Sequence, residues 1–222
     1  MRCSSDNKCT TVYELFERAV HAYDVPSRVR TDHGLENVRV AEYMLRTRGL
    51  GRESIITGSS VHNQRIERLW RDTFSGVLKL YYELFHFLES RKSLDPLNEV
   101  HLFALHYVYL PRINQSLDVC TLGWNFHGLR TEKGRTPKQL FYTDVGPAGD
   151  DIHLTDIDSY GIDIDGPVPD IQSENLVVVP ECINPLTLEN QELLKQLVDP
   201  LSNSDNYGIE LYDRTVAFLE CI

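Results

Sequence analysis

The most extended hydrophobic repeat in the chain runs from Ile66 to Leu88. Ile66, Leu69, Trp70, Thr73, Phe74, Val77, Leu78, Tyr81, Leu84, Phe85 and Leu88 recur at intervals of three and four, which predicts one helix with a continuous apolar stripe. Asn63, Gln64, Glu67, Arg68 and Arg71 fall off that stripe, so a carboxylate is presented among amides and guanidinium groups. A solvated helix face carries such residues routinely. Upstream, Val12, Leu15, Phe16, Ala19, Val20 and Tyr23 give an amphipathic helix that starts at Thr10 or Thr11, with Glu14 as the capping-box partner of Thr11. Pro26 cannot continue it. A β-prone run, residues 27–31, ends in Asp32-His33-Gly34. A helix is expected over residues 38–48, stopped by Gly49 and Gly51, and a second short strand over 54–58. Residues 98–110 are apolar nearly all round and predict a buried helix, with Pro111 expected to kink or restart it. Ile113, Leu117, Cys120, Leu122 and Trp124 continue the pattern, and Thr136-Pro137 signals another helix start.

Short strands alternating with helices predict an α/β fold, and an acid leaving the carboxyl end of a strand stands where open α/β sheets bind ligands. Charge then divides the chain. Its 222 residues carry a net charge of −11, but residues 1–142 hold 20 Lys/Arg against 16 Asp/Glu, a balance of +4, and residues 143–222 hold 2 against 17, a balance of −15. That asymmetry predicts two parts, a domain over 1–142 and an acidic C-terminal segment or small subdomain over 143–222. Within the latter, residues 146–151 read as a linker, 177–179 as a strand, and 186–198 and 207–219 as helices. The five cysteines are scattered without a Cys-x-x-Cys pair, so neither a zinc ribbon nor a disulfide framework is indicated. No apolar run is long enough to span a bilayer, and the N-terminus lacks the apolar core of a signal peptide. The expected location is intracellular, nuclear or cytoplasmic, rather than secreted or membrane-bound.

Between Asp32 and Glu67 lie 34 residues. If the two carboxylates meet, their repulsion must be offset, usually by a hard divalent cation such as Mg²⁺ or Mn²⁺. Two-metal phosphoryl transfer uses such carboxylates to hold ions on the attacking and leaving oxygens. Spacing alone is a weak signal in a chain with 33 acidic residues.

The residue pattern is more specific. Ser27-Arg28-Val29-Arg30-Thr31-Asp32-His33-Gly34-x-Glu36-Asn37 resembles the second-aspartate block of the retroviral-type integrase catalytic core, found also in DDE transposases. Val61-His62-Asn63-Gln64-Arg65-Ile66-Glu67-Arg68-Leu69-Trp70 resembles the block with the final glutamate. The stretch from Trp124 to Leu140, with its Thr136-Pro137 helix start, looks like the closing segment of such cores. The three blocks keep their order, and the likeness is greatest to integrase-core proteins of animal genomes derived from transposable elements. The resemblance implies a ribonuclease-H-like fold and an ancestral activity of metal-dependent DNA strand transfer. It implies Asp32 and Glu67 as catalytic residues and ligands of Mg²⁺ or Mn²⁺, and Arg65, Arg68 and Arg71 as DNA-contacting residues.

The chain departs from the family pattern at one point. Arg2-Cys3-Ser4 looks like the end of the third strand, the first two strands and the first catalytic aspartate are expected before Met1, and no residue here matches that aspartate. Asp6 lies on the wrong element. The expectation is therefore an incomplete, inactive core, lacking its first strands and leaving a sheet edge for self-association, a partner or the acidic tail to cover. Two alternatives stay open: a nucleic-acid-binding protein without catalysis, and a protein-interaction module in which the tail masks the core. His33, His62, Cys120 and His127 lack metal-site spacing, and Asn63 suits a helix cap. An Asp-rich run over 156–167 starts like a calcium loop but has Pro167 where a bidentate glutamate is needed.

Overall fold

The computed structural model describes residues 1–32, 34–58, 64–144, 182 and 184–222, except the side chains of Gln64, Arg65 and Asp144. His33, His62, Asn63, the 146–151 linker, the 156–167 run and the 177–179 strand therefore lie outside the described residues, as does the side chain of Arg65. The chain forms two compact units.

One unit, taken over Asp6–Asp72, has the order α1 (Cys9–Tyr23), β1 (Val29–Thr31), α2 (Val38–Arg48), β2 (Ile55–Thr57) and most of α3 (Gln64–Thr73). A 3₁₀ turn, Leu35–Asn37, leads into α2. The strands are parallel, with Val29 opposite Ile55 and Thr31 opposite Thr57. Parallel neighbours need a crossover, and α2 supplies it. Its buried Val40 and Met44 face inward. Phe16 and Tyr13 of α1 meet Tyr43 of α2, with ring centroids 5.6 and 6.0 Å apart. Arg48 ties the end of α2 to the approach to β1 by donating to the carbonyls of Pro26, at 3.2 Å, and Val25. Helix α2 ends as expected at Gly49, whose φ of 85° only glycine adopts without strain.

Two local expectations fail here. Helix α1 starts at Cys9, so Thr11 sits inside it, and its hydroxyl donates to Asp6 Oδ1 at 2.6 Å instead of capping with Glu14. That bond, with one from the Lys8 amide, holds the Asp6 carboxyl below the usual carboxylate range. Arg2–Ser4, which belong to the second unit, form no strand: Asn114 of that same unit's long helix takes both backbone groups of Cys3, accepting from its N–H at 2.8 Å and donating to its carbonyl at 3.1 Å.

The second unit comprises Met1–Ser5, Thr73–Thr143 and the described part of Pro180–Ile222. It is helical: a π turn (Phe74–Leu78), α4 (Lys79–Ser90), α5 (Glu99–Phe126), α6 (Pro137–Asp144), α7 (Leu188–Leu197) and α8 (Ile209–Glu220). Its core joins Tyr81, Leu84 and Leu88 of α4 to Ala104, Val108, Tyr109, Ile113 and Leu117 of α5 and to Leu194, Leu211, Tyr212 and Leu219 of the last two helices. Helix α5 runs for 28 residues through Pro111, so of the expected kink or restart the restart does not occur. Proline removes one backbone bond, but Val108, Tyr109 and Ile113 on either side are buried and keep the helix in the core. Asn98 starts the helix, its Oδ1 accepting from Val100 N at 2.9 Å. Helices α7 and α8 match the two expected in the C-terminal segment, and both belong to this core. Tyr107 donates to the carbonyl of Val198 at 2.8 Å and Arg112 to that of Ser202 at 2.6 Å, fixing the link between them onto α5.

The single stripe expected from Ile66 to Leu88 is split. Val77, Tyr81, Leu84 and Leu88 are buried, but Ile66, Trp70 and Phe74 are about half exposed. The π turn inserts a wider five-residue step and shifts the phase of everything that follows. Among the described residues no helix is long and apolar enough to cross a membrane.

Candidate metal and nucleic-acid site

The parallel register places the carboxyl ends of β1 and β2 side by side. Gly58 extends the ladder one step past β2, its N–H donating to the carbonyl of Thr31 at 3.1 Å. Asp32 is the next residue after Thr31. It is exposed, and its carboxylate closes a local turn, with Oδ1 accepting from Gly34 N at 3.3 Å and from Asn37 Nδ2 at 2.9 Å. Gly34 leaves room for the Glu36 carboxylate, which a Cβ at position 34 would strike. Asn37, the last residue of the second-aspartate block, is thus the direct partner of Asp32. The Asp-x-Gly-x-x-Asn spacing carried that signal, because an aspartate turn followed by an asparagine brings a donor back to the acid.

Glu67 lies in the first turn of α3, exposed, where a carboxylate favours the positive end of the helix dipole. Arg68 and Arg71 are exposed on the same helix. Both sequence-predicted acids therefore belong to the α/β unit, one at the exit of β1 and one on the helix that follows β2.

Carboxylate oxygens suit Mg²⁺ or Mn²⁺, but a strand-transfer centre needs a fuller ligand set. Among the described residues, no three His, Cys, Asp or Glu side chains come together in a way that could hold a metal ion. One oxygen of Asp32 is also engaged by two N–H donors. The described residues do not compose a divalent-cation site by themselves.

Compared with known proteins, residues 1–146 match the family model described as integrase core domain. No curated protein and no solved structure matches the chain.

Proposed function

The chain belongs to the integrase core domain family, and on that premise we propose that it is an integrase-like protein of transposable-element origin that contacts duplex DNA without carrying out strand transfer by its own residues. Integrase cores generally use divalent metals, and Asp32 and Glu67 are the two carboxylates through which this chain would bind Mg²⁺ or Mn²⁺. The observation that carries the reading is the Asp32 turn: the acid at the exit of β1 is held by Asn37 and Gly34 rather than by converging acids. Arg65, Arg68 and Arg71 supply the phosphate contacts from α3, and the nucleus is the compartment where such contacts would operate.

A nicking assay on supercoiled DNA with Mg²⁺ or Mn²⁺ is expected to give no cleavage above that of Glu67→Gln. Robust cleavage abolished by that change would overturn the inactive reading. Replacing Arg68 and Arg71 together by alanine is expected to weaken duplex binding and reduce its salt slope by about 2, close to 0.9 per lost phosphate contact. Unchanged binding in that variant would remove α3 as the DNA contact and favour a protein-interaction role.

A further inference from the structure

The end of α5, the turn after it and α6 carry exposed aromatic rings and cations, and the turn brings the two helices together where Lys138 meets Phe126. Phe126 is 55% exposed and Tyr142 63%, with Trp124 and Phe141 less so. These rings stay out of the core that holds Tyr81, Tyr109 and Tyr212. The turn between the helices is tightly built. Leu129 N donates to Arg135 O, and Gly134 N to Leu129 O, both at 2.9 Å. Lys133 and Gly134 adopt positive φ of 56° and 83°, and Gly128 passes so close to Gly134 O that a Cβ would stand 2.9 Å from it. Helix α6 then opens with a reciprocal cap: Thr136 N donates to Gln139 Oε1 at 2.9 Å and Gln139 N to Thr136 Oγ1 at 3.1 Å. This return places Lys138 Nζ 4.7 Å from the centroid of the Phe126 ring. Phe141 and Tyr142 follow one turn along α6, their rings 5.4 Å apart and at 82°.

Charge points the same way. In a chain of net charge −11, residues 124–143 hold four Lys/Arg and one Asp/Glu. Arg135 pairs with Glu132 at 3.2 Å, and Arg130, Lys133 and Lys138 are exposed. Protein interfaces deplete lysine at their centres, so interleaved lysines and rings favour a polyanion that also has planar faces. Single-stranded nucleic acid has both, because its bases are free to stack on aromatic rings while its phosphates meet cations. A duplex keeps its base faces covered. An anionic membrane would also attract cations and aromatics, but it calls for one apolar face along a helix. Here Phe126 lies under a lysine and the α6 rings stand nearly perpendicular.

We propose that the helical unit binds single-stranded nucleic acid on this surface, with bases stacking on Phe126 and Tyr142 and phosphates held by Arg130, Lys133 and Lys138. The site uses no residue of α3 and does not depend on the duplex contact proposed there. Anisotropy titration with labelled oligo-dT tests it. Replacing Phe126 and Tyr142 together by alanine is expected to weaken oligo-dT binding by about tenfold or more, with duplex affinity unchanged. Leucine at both positions keeps the bulk without a ring face and is expected to lose the same affinity, with helical circular dichroism retained. Alanine at Lys133 and Lys138 is expected to lower the salt slope on oligo-dT by about 1.4, near 0.7 for each contact on a single strand. The Arg68 and Arg71 double variant is expected to bind oligo-dT normally, so a failure of the α3 reading leaves this result distinguishable. No oligo-dT binding, full affinity in the leucine variant, or binding only to vesicles of phosphatidylserine and phosphatidylcholine would overturn the proposal.

Discussion

Replacing Tyr212 by alanine is expected to destabilise the helical unit by about 3–5 kcal/mol, the range for emptying a buried aromatic site. Thermal unfolding should show this as a fall of roughly 10 °C in Tm. The residue is 0% exposed on α8 and lies against Tyr109 of α5, with ring centroids 6.3 Å apart. Its hydroxyl also donates to the carbonyl of Ser93 at 3.0 Å, fixing α8 to the turn after α4. Burial first, and then the nearby Asp213 and Glu220 carboxylates, push the phenol well above its ordinary value, so the hydroxyl stays a donor throughout the working pH range. Tyr212→Phe separates the two contributions: it keeps the ring and should cost only about 1 kcal/mol for the lost hydrogen bond. An alanine variant as stable as the parent would show that α8 does not share the core of α4 and α5.

The second large effect is expected at Gly208, which caps α8 with φ of 92°. A Cβ there would stand 2.9 Å from Arg112 Nε and 3.2 Å from its Cζ. The arginine cannot simply withdraw, because its Nη2 donates to Ser202. Gly208→Ala therefore adds left-handed strain to displacement of a side chain that anchors the preceding loop, roughly 2 kcal/mol or more in all. Gly134→Ala is the matched control. It has φ of 83° and nothing within 4 Å of its Cβ, so it should show the backbone strain alone. Equal losses of Tm in the two variants would exclude any part for the Arg112 contact.

Much of the backbone was readable before folding. Helix α2 occupies the residues its periodicity marked, the two strands appear within the expected runs, and α7 and α8 fall where apolar spacing put them. The integrase-core blocks led to the family that residues 1–146 match. The misreadings have physical causes. Periodicity treats a helix as a single screw, so it could not register the π turn between α3 and α4. A proline reads as a break, yet the flanking buried residues of α5 outweigh one missing bond. Cys3 looked like a strand end, but an asparagine more than a hundred residues later takes its hydrogen bonds, and no local pattern reports that. The residues from Trp124 to Leu140 were visible in the chain as a segment like the family's closing motif, whereas Phe141 and Tyr142, just beyond it, carried no such signal. The meeting of the two helices depends on the turn that lays Lys138 over Phe126.

The bonds between Cys3 and Asn114 make the helical unit carry its own clock. Burial raises the Cys3 thiol above its ordinary pKa and withholds the reactive thiolate, whereas Cys221, at the end of α8, is exposed. An alkylating reagent should therefore mark the exposed Cys221 faster than the partly buried Cys3, whose reaction speeds up whenever the clasp opens. Mass spectrometry of the two peptides would then time that opening in the unperturbed protein. Asn114→Ala should bring the Cys3 rate close to that of Cys221. If the Cys3 rate stays unchanged in that variant, general burial rather than the asparagine sets the clock.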